Sequence, residues 1–199
     1  LKIFLFLVVL LFLNSCAAQT NVIKSLETVK KSVLKIETWA SLGECDGETS
    51  TCPEDQILST GTGAVVLHDS EKHVLTAAHI CIQDNLMPGM SVRHYFKAFD
   101  QNSKQYIIKV VNYDKKSDIC LLRSVTGDLE PNFIPISRKT PEYSEKVFNL
   151  AAPMGIIEEG MVPIFQGRYF GRHDGAAFYG IPAIGGSSGS PIVNSTGEL

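Results

Sequence analysis

Three short segments carry side chains that could do chemistry together. Val74-Leu75-Thr76-Ala77-Ala78-His79-Ile80-Cys81 is an apolar run that delivers a histidine into a turn of small residues. Ser117-Asp118-Ile119-Cys120-Leu121-Leu122 sets one acid at the mouth of a second apolar run. Gly185-Gly186-Ser187-Ser188-Gly189-Ser190-Pro191 is a glycine-lined loop presenting Ser188 just before a further apolar pair. A serine hydroxyl attacks poorly at neutral pH, so its use as a nucleophile needs a neutral histidine. That histidine takes the proton during attack and returns it to the leaving group. A buried aspartate would fix the imidazole tautomer and stabilise the imidazolium that forms. Backbone N–H groups must converge on the developing oxyanion, and glycines let the backbone come close without a Cβ.

Competing residues are separated by context. His68, His73, His94 and His173 lack such surroundings and read as structural or surface histidines. Asp114 precedes Lys115-Lys116 in a turn, whereas Asp118 abuts the apolar run, so Asp118 is the candidate. Of the three neighbouring serines, only Ser188 has Gly186 two residues before it and Gly189 directly after it. Gly61-Thr62-Gly63 lacks the third glycine and following helix of a dinucleotide motif, and reads as the start of a strand.

The elements that must position these segments are strands. With 44% hydrophobic and 20% charged residues and a net charge of −3, the chain is too apolar and too evenly charged to be disordered. Mild acidity argues against a phosphate-tracking surface and hence against nucleic acid as a partner. No apolar run approaches the roughly 20 residues of a membrane-spanning helix. Nine Pro and sixteen Gly punctuate many short apolar segments, an all-β pattern. Strands are expected over Ser32–Trp39, Gly61–Leu67, His73–Thr76, Ser91–Phe99, Tyr106–Asn112 and Ile119–Arg123. The second and third of these are joined by an Asp69-Ser70-Glu71-Lys72 turn. After a connection over residues 124–145, more strands are expected over Lys146–Ala151, Val162–Phe170, Ala176–Ile181 and Pro191–Asn194. Residues 19–31 read as a helical lead-in, with Ile23, Leu26 and Val29 at three-residue spacing.

The N-terminus reads as an address. Lys2, the apolar run Ile3–Leu13 and the small residues that follow describe a signal peptide over residues 1–18. Leu13-Asn14-Ser15-Cys16 resembles the bacterial lipobox, which would make Cys16 the lipidated residue; plain secretion is the alternative. The chain starts with Leu rather than Met, so earlier residues are expected to be missing. In an oxidising compartment Cys45 and Cys52, in a polar turn-rich stretch, are expected to close a surface loop as a disulfide. No further Cys or His stands near them to complete a zinc site, and no metal is expected.

Thr76-Ala77-Ala78-His79-Ile80-Cys81, Asp118-Ile119-Cys120-Leu121-Leu122 and Gly186-Ser187-Ser188-Gly189-Ser190-Pro191 resemble, in order, the signature blocks of chymotrypsin-fold serine proteases. The likeness covers Ser32 to the end and is nearest to bacterial and phage trypsin-like peptidases. It implies two antiparallel six-stranded β-barrels with the active site between them. Residues 32–123 would form the first, with His79 and Asp118, and residues 146–199 the second, with Ser188. The chain stops soon after the nucleophile, so the second barrel is expected to be incomplete. The resemblance also implies Gly186 and Ser188 as oxyanion donors, and Pro182, Ala183 and Ile184 as part of the specificity pocket. That segment has no acid, so small or medium apolar side chains are the expected fit rather than Lys or Arg. Ser187 stands where trypsin-like zymogens place an activating Asp, so no such switch is expected. Cys81 and Cys120 each lie two residues beyond a triad member and could be bridged, or could be two buried thiols.

The reading is an exported serine endopeptidase that acts on proteins or peptides without a cofactor. A lipid anchor on Cys16 would hold it to a membrane. The alternatives are a non-catalytic binding lipoprotein on the same fold, or an esterase.

Overall fold

The computed structural model describes residues 20–42, 55–82 and 92–199. Cys16, Cys45 and Cys52, and with them the signal peptide and the loop disulfide, lie outside these residues.

Helix α1 (residues 20–30) leads into β1 (Val33–Leu42), β2 (Gln56–His68) and β3 (Glu71–Thr76). A single-turn helix α2 (Ala78–Cys81) precedes β4 (Val92–Phe99), β5 (Gln105–Asp114) and β6 (Ile119–Ser124). These six strands close into a barrel in the order β1-β2-β3-β6-β5-β4. Strands β7 (Lys146–Leu150), β8 (Ile164–His173), β9 (Ala176–Tyr179) and β10 (Ile192–Val193) form a four-stranded sheet in the order β10-β7-β8-β9. The barrel and second sheet are all-β, the class expected from the sequence. Where a second six-stranded barrel is implied, the described residues form an open sheet, since four twisted strands leave two edges unpaired.

Two cores hold the molecule together. Leu34, Ile36, Val65, Val74, Ile108, Cys120 and Leu122 fill the barrel. Val33, Ala64, Ile134, Phe148, Leu150, Val162 and Val193 form a second cluster with Leu26 and Val29 of α1. Val33/Leu34 and Ala64/Val65 belong to alternate clusters, as the period of two in a strand requires. The middle of β2, Gly61–Val66, is therefore buried on both faces. The buried face of α1 is Val22, Leu26 and Val29, while Ile23 is 57% exposed, so the stripe follows four-then-three spacing.

Two local expectations are corrected. The β2–β3 turn is tighter than four residues: Asp69 and Ser70 alone connect the strands, both at positive φ. That geometry marks a two-residue type I′ hairpin. Gly61-Thr62-Gly63 lies in the middle of β2 rather than at its start. Its glycines serve close packing: a Cβ on Gly63 would stand 2.7 Å from both Ile36 and Val74.

The connection expected over residues 124–145 starts one residue later, because Ser124 still belongs to β6; residues 125–145 form no strand but are pinned. Leu129 enters the barrel core, Ile134 enters the second cluster, and the Ile134 N–H donates to Val65 O at 2.8 Å.

Candidate active site

The antiparallel pairing of β3 with β6 sets Thr76 opposite Cys120. The chain leaving β3 and the chain entering β6 therefore meet at the same end of the barrel. His79, three residues past Thr76, and Asp118, two before Cys120, come together there although 39 residues separate them. Within α2, Ala78, Ile80 and Cys81 are buried, which turns His79 outward. Thr38 anchors this turn by donating to Ile80 O at 3.1 Å.

The Asp118 carboxylate grips His79 twice. Oδ1 accepts the backbone N–H at 3.0 Å, and Oδ2 accepts Nδ1–H at 2.8 Å. An ionised carboxylate can only accept, so in the neutral imidazole the ring proton sits on Nδ1 and Nε2 keeps a lone pair. Asp118 reaches this position from left-handed backbone, φ 53°, which aspartate tolerates better than most residues. Its side chain is 51% exposed and that of His79 is 55% exposed, which corrects the expectation of a buried acid. Both lie at the rim, where the barrel end opens.

Asp114 has a different task. Its carboxylate accepts from the Ser117 hydroxyl at 2.7 Å and from the Lys116 N–H at 2.9 Å, closing the β5–β6 turn. Those bonds, the Ser117 hydroxyl first, hold its pKa below the ordinary aspartate value. Cys81 and Cys120, the open pair in the sequence, form a disulfide with Cα atoms 6.5 Å apart. It ties α2 to β6, each cysteine standing two residues beyond a member of the His79–Asp118 pair.

The serine loop is built from turns. The Ser187 N–H donates to Ile184 O at 2.9 Å, with Gly186 at φ 91° in the third position, where a type II turn calls for glycine. The Ser190 N–H then donates to Ser187 O at 3.0 Å. Among the described residues, the N–H groups of Gly186 and Ser188 have no protein acceptor. The loop lies against the His79-bearing segment: Gly189 packs on Thr76 and Ala77 with no space for a side chain. No hydrogen bond joins the Ser188 hydroxyl to His79 Nε2; such contacts are often long before substrate binds. Ser187 is buried at 8% exposure, and its hydroxyl has no partner. A carboxylate in that place would be desolvated without a counter-charge.

Pro182, Ala183 and Ile184 are all exposed, Ile184 at 47%, and form an open surface beside the loop. Among the described residues, no group of three or more His, Cys, Asp or Glu converges as metal ligands.

The model of the trypsin-like peptidase domain matches residues 61–199, which contain all three blocks. The chain belongs to the trypsin-like peptidase family. Among solved structures, this trypsin-like chain is similar to the crystal structure of the serine endoprotease from Yersinia pestis. The TM-score is 0.63 at 17% identity, over 89% of this chain and 55% of that one. At that identity the likeness shows the fold, and this chain spans about half the length of that protein. No curated protein matches the chain.

One residue with a part in the site escaped the sequence. Thr62 donates its backbone N–H to Ser188 O at 2.8 Å. Flanking glycines were the available signal: a Cβ on Gly61 would stand 3.2 Å from that same carbonyl.

Proposed function

We propose that this chain is the catalytic part of an exported serine endopeptidase, cleaving peptide bonds in protein substrates through an acyl-enzyme. The observation that carries the reading is the double grip of Asp118 on His79. In the neutral ring it leaves the Nε2 lone pair available at the rim of the barrel, on the segment where the Ser188 loop docks.

In the proposed reaction Ser188 Oγ attacks the scissile carbonyl carbon while its proton passes to His79 Nε2. The carbonyl oxygen becomes an oxyanion facing the free N–H groups of Gly186 and Ser188, a stabilisation worth about 3–4 kcal/mol per donor in comparable sites. Asp118 stays ionised and steadies the imidazolium. Collapse of the tetrahedral intermediate breaks the C–N bond, and His79 gives its proton to the departing amine. Water then attacks the acyl carbon as the same nitrogen takes its proton; the Ser188 Oγ–acyl bond breaks, and that proton passes from Nε2 to Oγ.

The exposed, uncharged Pro182-Ala183-Ile184 surface supports small or medium apolar side chains on the acyl side of the cleaved bond. The Cys81–Cys120 disulfide suits an oxidising compartment, either the bacterial cell envelope with a lipid on Cys16 or the medium.

Labelling with a fluorophosphonate tests the reading. Ser188 should be modified, Ser188→Ala should abolish the label, and peptide substrates should turn over faster than simple esters. Labelling that moves to Ser187 or Ser190 would mean a different nucleophile. An unlabelled protein would favour a binding role, and ester turnover alone would favour an esterase.

A further inference from the structure

Thr62 is fully buried in the middle of β2, and every polar atom it owns is engaged with the catalytic segments. Its N–H donates to Ser188 O at 2.8 Å. Its hydroxyl donates to Gly186 O at 2.7 Å and accepts the Ala152 N–H at 2.9 Å. Its carbonyl accepts the hydroxyl of Thr76 at 2.7 Å. Thr76 ends the strand that delivers His79, and Ala152 follows β7 in the second sheet. One barrel residue thus gathers the nucleophile loop, the histidine segment and the second sheet.

The two carbonyls held are those of Gly186 and Ser188, the same residues whose N–H groups are free. The carbonyl of the Gly186–Ser187 peptide is fixed by the Thr62 hydroxyl and its N–H by Ile184 O. This peptide lies between the two that carry the free N–H groups, so locking it sets their relative direction. Gly186 has little freedom to give: a Cβ there would stand 2.5 Å from Ala152 O and 2.6 Å from Met154 N.

We infer that Thr62 is a positioning residue for the oxyanion-binding loop: its hydroxyl orients the Gly186 and Ser188 N–H groups from the first barrel. The inference rests on the serine-hydrolase reading above. A threonine hydroxyl offers one donor and two acceptor sites, so it can bridge Gly186 O and the Ala152 N–H at once. Valine keeps the shape and loses both bonds; serine keeps both bonds and loses only a methyl group.

The test compares wild type, Thr62→Val, Thr62→Ser and, as a control for loss of a buried hydroxyl, Tyr106→Phe. The control removes a buried hydroxyl that donates to Asp100 at 3.2 Å and makes no hydrogen bond to the loop. The readouts are the fluorophosphonate labelling rate at Ser188, and kcat and KM on a peptide. Thr62→Val should lower kcat and the labelling rate about 10- to 100-fold with KM changed less than about threefold, the scale of an angstrom's misplacement. Thr62→Ser should stay within about threefold of wild type, and Tyr106→Phe should leave both rates unchanged. If Thr62→Val does not fold, Thr62→Ala set against Thr62→Ser isolates the hydroxyl. Wild-type rates in a folded Thr62→Val, or an equal fall in Thr62→Ser, would overturn the inference. A wild type that is never labelled would instead remove the reading beneath it.

Discussion

Replacing Asp118 by Asn tests the double grip on His79 with the smallest change of shape. The carboxylate now accepts two hydrogen bonds, at 3.0 Å from the His79 N–H and 2.8 Å from Nδ1–H. An amide has one accepting oxygen and one donating nitrogen. If the oxygen keeps the backbone N–H, the NH2 group faces Nδ1 and forces the ring proton onto Nε2, where no serine proton can be accepted. The amide also carries no charge to steady an imidazolium. In a comparable triad this change costs about 10⁴ in kcat, equivalent to about 5 kcal/mol of barrier. Here the pair is half-exposed, so a flipped amide with water replacing the lost backbone contact keeps part of the population competent. The expected loss is therefore between about 10² and 10⁴. Peptide turnover and Ser188 labelling at pH 7 measure it, with the melting curve confirming an intact fold. A loss below about tenfold would refute the claim that Asp118 sets the tautomer.

Replacing Cys81 and Cys120 together by Ser removes a bridge across 39 residues, which on chain entropy is worth about 4 kcal/mol. The expected result is a melting temperature lower by roughly 10 °C; free thiols at both positions in the unreduced wild type would sink the expectation. Tyr106 is pushed up to about 12 by burial first and by the charge of Asp100 next. Its neutral form is thus favoured in the folded state, and the stabilisation present below about pH 10 is lost between about pH 10 and 12. Stability followed by urea titration across this range should fall less steeply in Tyr106→Phe than in wild type, and superimposable curves would contradict it.

Much of this architecture could be read from the chain because the strands are short and punctuated. The apolar runs ending in His79 and beginning at Asp118 are local features, and they state which residues the barrel must deliver. What lies between strands was harder. The identity of β6 as the neighbour of β3 depends on barrel closure, not on any residue in either strand. The openness of Asp118 follows from its place at the barrel rim, which an adjoining apolar run does not reveal. The role of Thr62 was hidden for a related reason: its partners are 14, 90, 124 and 126 residues away, and only folding puts them within reach. In α1 the three-residue spacing misplaced Ile23, because a helix face alternates steps of three and four.

The shared wall of β1 and β2 bears on how faithfully this chain folds. A slip of one residue in β2 would exchange Ala64 for Val65 between two packed interiors, overfilling one and leaving a void in the other. It would also turn Thr62 away from the serine loop. Mispairing is thus penalised at three places by one strand, so the alignment that completes the barrel is also the one that assembles the site.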